Sequence, residues 1–355
     1  MNDKLKGLDT LRAIAALIVV IEHIEIIKHS NNIDDFRSFL PSAHIAVILF
    51  FVISGFLITF LLAKEWDLNN KISFKKFYFR RILRIWPLYF FVLFLSVFLF
   101  NHYQSIKSYL LCFSIFPNVA HVFGHGWRGS PQIWSIGVEE QFYLIWPLIF
   151  SLIFYKNKSI ISFILLGLFL FLTFLPHGIA YLNSNYFDSE FLRLLKKLFN
   201  FSNYNGIAIG CFIGIAYWKK YNWVGYLNSN LLILPLSITI LSMWLLNFKY
   251  SYYTNEIFAI LFSLMILGLV GNKTINIDNK IFKFLGKISY GIYMYHWMVI
   301  EIVIHFLVRG GNLLLYNIAL YSIVIGVTIL ISFISYAFFE KKFIELKNNY
   351  SIKPK

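Results

Sequence analysis

Long apolar stretches, each ended by a short basic loop, run the length of this chain and leave few folds open to it. No charged residue occurs between His44 and Lys64, and a hydrocarbon core of about 30 Å is crossed by about 20 helical residues. Backbone N–H and C=O groups in that core must be satisfied within the segment, so repeated spans of this kind fold as a helical bundle. Spans are expected near 11–29, 43–63, 85–101, 140–155 and 158–175, then near 205–218, 230–247, 256–271, 289–308 and 314–338. The fold class is therefore an all-α membrane protein, a polytopic bundle of about ten transmembrane helices. Composition agrees, with 59% hydrophobic and 14% charged residues. No basic–apolar–small cleavage pattern opens the sequence, so the first apolar run is read as a retained helix.

Charge then sets orientation. The net charge of +15 lies mostly in short loops, where Lys and Arg act as topology determinants and headgroup contacts rather than as a nucleic-acid footprint. With the N-terminus inside, the inner loops hold Lys64 through Arg84, Lys156 and Lys158, Lys219 and Lys220, Lys273 through Lys287, and the tail from Lys341. That arrangement gives both termini a cytoplasmic location. Residues 105–135, broken by Pro117, Gly124, Gly126 and Pro131, read as an outer loop with a re-entrant or interfacial piece. Residues 176–204 would lie outside while carrying Arg193, Lys196 and Lys197, against the positive-inside trend. One membrane domain is expected over 1–345, followed by a short tail at 346–355. Cys112 and Cys211 offer neither a disulfide framework nor metal-ligand spacing. The histidines form no close set with a carboxylate, so no metal is expected.

Four polar clusters interrupt the apolar runs. Arg12 and His23 lie eleven residues apart on the first helix, about three turns, which puts them on one face with a rise of about 16 Å. Arg12 would sit near a surface and His23 near mid-depth, where ionisable groups are costly and usually functional. A snorkelling Arg12 and a hydrogen-bonded His23 are the structural alternative. Asp9 is a candidate N-cap. In KKFYFRRILRIWPLYF (75–90), Arg80, Arg81 and Arg84 stand at the inner end of the third span. Arg81 and Arg84 are helix-face neighbours, and guanidinium forks suit phosphate; a lipid-binding topology anchor is the alternative. In WSIGVEEQFYLIWP (134–147), Glu139 and Glu140 meet the outer mouth of a span among Trp134, Phe142, Tyr143 and Trp146. Adjacent residues project about 100° apart, so only one carboxylate is expected to face the bundle; a solvated carboxylate stabilised by the helix N-terminus is the alternative, and the one periodicity alone favours. In GKISYGIYMYHW (286–297), Tyr290, Tyr293 and His296 follow at three-residue steps on one helix side, a stripe that by itself reads more often as packing and hydrogen bonding than as catalysis. Glu301 and His305 pair at i,i+4 in this reading, and Ser54 and Gly55 suit a close helix–helix approach.

Taken together, LDTLRAIAALIVVIEH, LFFVISGFLIT, FRRILRIWPLYF, WSIGVEEQFYLIWP, SYGIYMYHW and SYAFFEKKF resemble the acyltransferase-3 family of integral-membrane O-acyltransferases, from about Leu8 to about Phe343. The family's Arg-(ten residues)-His motif falls on Arg12 and His23, and its Arg-x-x-Arg motif on Arg81 and Arg84. Ile48 departs from the pattern, since many members have an acidic residue there. Some members carry a C-terminal esterase-like domain; a standalone form without it is expected here. The resemblance implies transfer of an acyl group, usually acetyl, from cytosolic acyl-CoA to a hydroxyl of an extracytoplasmic or lipid-linked glycan, such as lipopolysaccharide O-antigen, capsule or another surface polysaccharide. It also implies a bacterial inner-membrane location and no permanently bound cofactor, acetyl-CoA being the donor substrate.

On these expectations Arg81 and Arg84, with Arg12 and Arg80, hold the CoA phosphates at the inner face. His23 is the general base, or the carrier of an acyl intermediate. Glu139 orients or recharges His23, or binds the acceptor. Trp134 and Ser135 contribute to acceptor binding, and Tyr290 or His296 supports the developing oxyanion. A proton-coupled transporter or flippase of a lipid-linked or anionic solute is the competing reading.

Overall fold

Helix follows helix through the described residues. The computed structural model describes residues 5–34, 36, 40–100, 104–156, 158–248, 253–272, 274–308 and 312–347, and no strand occurs among them. Lys273 and most of the expected tail, from residue 348 onward, lie outside the described residues. The helices are α1 (Leu8–Ser30), α2 (Ala43–Asn69), α3 (Phe74–Phe100), α4 (Ile106–Phe113), α5 (Pro117–Val122), α6 (Trp134–Lys156), α7 (Ile161–Leu182) and α8 (Glu190–Ser202). They continue with α9 (Tyr204–Trp218), α10 (Asn222–Leu227), α11 (Asn230–Leu245), α12 (Thr254–Gly271), α13 (Lys280–Phe306), α14 (Leu313–Ser335) and α15 (Lys341–Lys347).

The all-α multi-pass architecture matches the sequence reading. By length and apolarity six helical stretches among the described residues qualify as spans, against about ten expected: Ala43–Asn69, Phe74–Phe100, Pro131–Lys156, Ile161–Phe187, Thr254–Gly271 and Leu313–Leu346. α9 and α11 are apolar but shorter. α1 and α13 have the length and carry charge instead, from Asp9, Arg12, Glu22, Glu25 and Lys28 in one and Lys280, Lys283, Lys287 and Glu301 in the other. Several helices also begin earlier than their apolar runs: α3 at Phe74 rather than 85, α6 at Trp134 rather than 140, α13 at Lys280 rather than 289. Apolar counting stops at the first charge, but Lys, Arg and Glu are good helix formers and the helix continues through them.

α2 is the centre of the bundle, with 83% of its most apolar window buried, against 28% for the stretches containing α7 and α14. The outer helices turn Phe98, Phe163 and Leu231 outward, an apolar surface suited to lipid. The α2–α9 crossing is close: a Cβ on Gly55 would lie 2.2 Å from the Ile207 carbonyl oxygen, and one on Gly210 2.4 Å from that of Val52. The small-residue approach read at Ser54–Gly55 is thus made, against α9. α1 crosses α13 just as tightly, at Gly286 against the Asp9 backbone. The N-cap of α1 is Gly7, with φ 80° and no side-chain cap, rather than Asp9. Thr10 Oγ1 donates to Asp278 Oδ1 at 2.9 Å, which ties the start of α1 to the turn before α13 and leaves Asp9 in the first helical turn.

The two discordant segments are helical in part. Residues 105–135 form α4, α5 and a 3-10 turn at Pro131–Ile133. They are docked by Tyr89 Oη donating to the Cys112 carbonyl (2.8 Å), Trp127 Nε1 donating to Ser96 Oγ (2.8 Å), and Gln141 Nε2 donating to Asn118 Oδ1 (2.7 Å). In 176–204, α7 continues to Leu182, passes through a π turn at Asn183–Phe187, and gives way to the amphipathic α8.

Candidate active site

Five helices converge on one cavity. α1 supplies Arg12, α2 Phe51 and Ser54, and α3 Arg81 and Arg84; α6 supplies Ser135, Glu139 and Tyr143, and α13 Ser289, Tyr290 and Tyr293. Helical periodicity explains each contribution. Arg81 and Arg84 are three apart, Ser135, Glu139 and Tyr143 four apart, and Tyr290 and Tyr293 three apart, so each set shares one face.

Three guanidiniums and one carboxylate line this space. None of the three arginines lies within 4.0 Å of a carboxylate among the described residues. Arg81 is buried, and its Nε has no hydrogen-bond partner. Its guanidinium sits 5.8 Å from the Phe77 ring and 5.7 Å from that of Tyr143, contacts that offset only part of the desolvation of a buried charge. The excess of positive charge over the single carboxylate suits the cavity to an anion. Glu139 is held by two hydroxyls: Ser54 Oγ donates to Oε1 at 2.8 Å and Tyr143 Oη to Oε2 at 3.1 Å, with Tyr143 and Ser54 3.2 Å apart.

The sequence places the arginines and Glu139 at opposite membrane faces; the structure puts them in one cavity. The longer α3 and α6 explain this, because both carry their charged residues inside the bundle. Glu140 also differs from expectation. Both carboxylates of the pair are enclosed, Glu140 on the α3 side, where Trp86 Nε1 donates to Oε2 at 2.7 Å.

His23 does not line the cavity. Glu22 beside it accepts from the backbone N–H of Ala43, the first residue of α2, so His23 lies level with the end of α2 rather than at mid-depth. Its Nδ1 is 2.7 Å from Nε2 of the buried His296, whose Nδ1 is 3.2 Å from the Ile292 carbonyl oxygen. That carbonyl accepts only, so in the neutral pair His296 carries its proton on Nδ1 and accepts at Nε2. His23 is then the donor through Nδ1, which leaves its Nε2 lone pair unused. Tyr293 stands between the pair and the cavity. Its ring is 5.8 Å from that of His296, its Oη donates to the Gln132 carbonyl at 3.0 Å, and it shares a 2.7 Å bond with Ser135.

Thus Arg12, Arg81, Arg84, Ser135, Glu139 and Tyr290 come together, and His23 and His296 form a second group behind Tyr293. Tyr290 Oη donates to the Ile85 carbonyl at 2.9 Å, which engages its proton. Arg80 is not brought to the cavity wall; it pairs with Glu65 at 3.5 Å. Trp134 stacks on His44 and meets the Phe201 ring at a tilt. Sequence reasoning left Ser54 as a packing residue and Tyr143 as part of an aromatic belt, and gave Ser289 no role. Only the i,i+4 spacing of Tyr143 from Glu139 signalled its part.

A family model described as an acyltransferase domain matches residues 5–337. The chain belongs to the acyltransferase-3 family. Among curated proteins this family member is similar to the peptidoglycan O-acetyltransferase OatA of Listeria monocytogenes, 28% identical over 328 residues that cover 83% of this chain and 49% of that one. It is also similar to the O-acetyltransferase OatA of Staphylococcus aureus strain NCTC 8325, 26% identical over 374 residues, 95% of this chain and 56% of that one. The chain spans about half the length of the curated relatives it matches. No solved structure matches it.

Proposed function

We propose that this chain moves an acyl group, acetyl by preference, from cytosolic acyl-CoA to a hydroxyl of an extracytoplasmic or lipid-linked surface glycan, in a bacterial cytoplasmic membrane with both termini inside. The observation that carries this reading is the cavity holding three unpaired guanidiniums, lined by the same helices that bear the family motifs. Arg12, Arg81 and Arg84 are the phosphate grip for CoA, and Ser54, Tyr143 and Glu139 form a fixed polar wall beside the thioester. The acceptor approaches from the His23 side.

The chemistry balances with the groups available. Nε2 of His23 takes the hydroxyl proton as the alcohol oxygen attacks the thioester carbonyl carbon. The C–S bond then breaks, and the thiolate of CoA leaves and recovers the proton from His23. His296 orients that imidazole and supports the charge it gains. Tyr293 must swing aside for thioester and alcohol to meet, which couples transfer to occupancy of both sides.

The test is purified protein in nanodiscs with radiolabelled acetyl-CoA and a glycan acceptor. Label should enter the glycan, and CoA should be released only when acceptor is present. An intact thioester together with vectorial movement of the solute would make the protein a transporter instead.

A further inference from the structure

The basic residues of α8 oppose the positive-inside trend, and nothing in the acyl-transfer chemistry uses them. On its apolar side α8 closes a second space, an open-sided slot between α6, α7 and α9, walled by residues such as Phe142, Ile149, Leu172, Leu198 and Cys211. Its polar lining comes from Gln141 and Tyr204, which bond to each other and to Asn118 at one end. On its polar side α8 presents Arg193, Lys196 and Lys197 around a shallow hollow that also includes His44 and Phe201. Arg193 pairs with Asp188 at 3.6 Å, while neither lysine has a carboxylate partner among the described residues. One amphipathic helix therefore puts an apolar slot and a cationic hollow back to back, the arrangement by which interfacial helices hold anionic lipid.

The hollow also leads toward the reaction. His44 and Phe201 flank Trp134, with ring centroids 6.1 and 4.2 Å away, and the other neighbour of Trp134 is Phe51, at 6.2 Å, on the wall of the arginine cavity. We propose that the slot and the hollow together seat a lipid-linked acceptor, with its hydrocarbon tail in the slot, its phosphate or diphosphate on Lys196 and Lys197, and its sugar against Trp134. The sugar's role as acceptor rests on the acyl-transfer reading; lipid binding itself does not. An ordinary phospholipid offers the same phosphate without the sugar, and water-soluble glycans offer the sugar without the tail. The three are therefore separable.

The experiment titrates the full chain in detergent with a prenyl-diphosphate-linked sugar, the same sugar free, and phosphatidylcholine, read by native mass spectrometry and by acetyl transfer. The prenyl-linked sugar should bind saturably at one per chain and be the best acceptor. Lys196→Gln and Lys197→Gln, surface changes that leave the fold intact, should each weaken it by about fivefold without altering acetyl-CoA binding. Leu172→Trp, which fills the slot, should discriminate against the lipid-linked form while sparing the free sugar. Unchanged binding in both lysine variants, equal binding of phosphatidylcholine, or non-saturable uptake would overturn the seat. Saturable, lysine-dependent binding with no transfer would leave the seat standing and remove the acyl-transfer reading instead.

Discussion

The α2–α9 crossing offers a test in which packing and chemistry are tied to one atom. In Gly55→Ala the new Cβ would lie 2.2 Å from the Ile207 carbonyl oxygen, where ordinary contact begins near 3.4 Å, so the helices must part by about 1 Å at that point. Overpacking against side chains costs about 1–3 kcal/mol, and a backbone carbonyl is less able to yield. A loss of roughly 2–4 kcal/mol is expected, a fall in melting temperature of about 3–5 °C for a chain of this length. Ser54, the preceding residue, donates to Glu139. Moving α2 by about 1 Å therefore displaces that wall, and misplacement on this scale costs about 100-fold in rate. The control is Gly326→Ala on α14, where a Cβ meets nothing within 4 Å; it should be as stable as the parent or better, since Gly in a helix interior costs roughly 0.5–1 kcal/mol against Ala. The assays are thermal unfolding in detergent and acetyl transfer with both substrates saturating. A Gly55→Ala protein indistinguishable from the parent in both would refute the close crossing and the coupling drawn from it.

Arg81→Ala and Arg84→Ala should each raise KM for acetyl-CoA by about tenfold or more, the scale of a hydrogen bond to a charged group; Arg80→Ala, which breaks the Glu65 pair instead, should change it far less. Steady-state kinetics across donor concentration checks all three. His23→Ala and His296→Ala should each abolish turnover, and the double variant should be no worse than either single one, because the rings act through one hydrogen bond; independent, multiplying losses in kcat would contradict this. Tyr293→Phe removes the bonds to Ser135 and Gln132, so it should raise the acceptor-independent release of CoA, measured with a thiol reagent.

The apolar runs announced a helical membrane bundle because length and apolarity are local properties. The glycine–carbonyl approach at Gly55 was readable for the same reason, small residues being the only ones that fit. Arg81 with Arg84, and Tyr290 with Tyr293, were correctly grouped by helical periodicity. Depth was not legible. Apolar counting ended α3 and α6 at their charges, so Arg81 and Glu139 were assigned to opposite faces although both helices carry them into one cavity. The His23–His296 bond was also hidden, since it joins residues 273 positions apart through the tight α1–α13 crossing at Gly286. The same distance along the chain concealed the roles of Ser54 and Tyr143, which depend on neighbours from another helix.

Any opening through a bilayer large enough for a thioester threatens to short-circuit the ion gradients that the membrane maintains. The three guanidiniums answer that threat: fixed positive charge repels sodium and hydronium in the same space where it attracts a polyanion. On the proposed reading the groups that would recognise the donor also keep cations out, and Tyr293 separates their space from the His23–His296 pair.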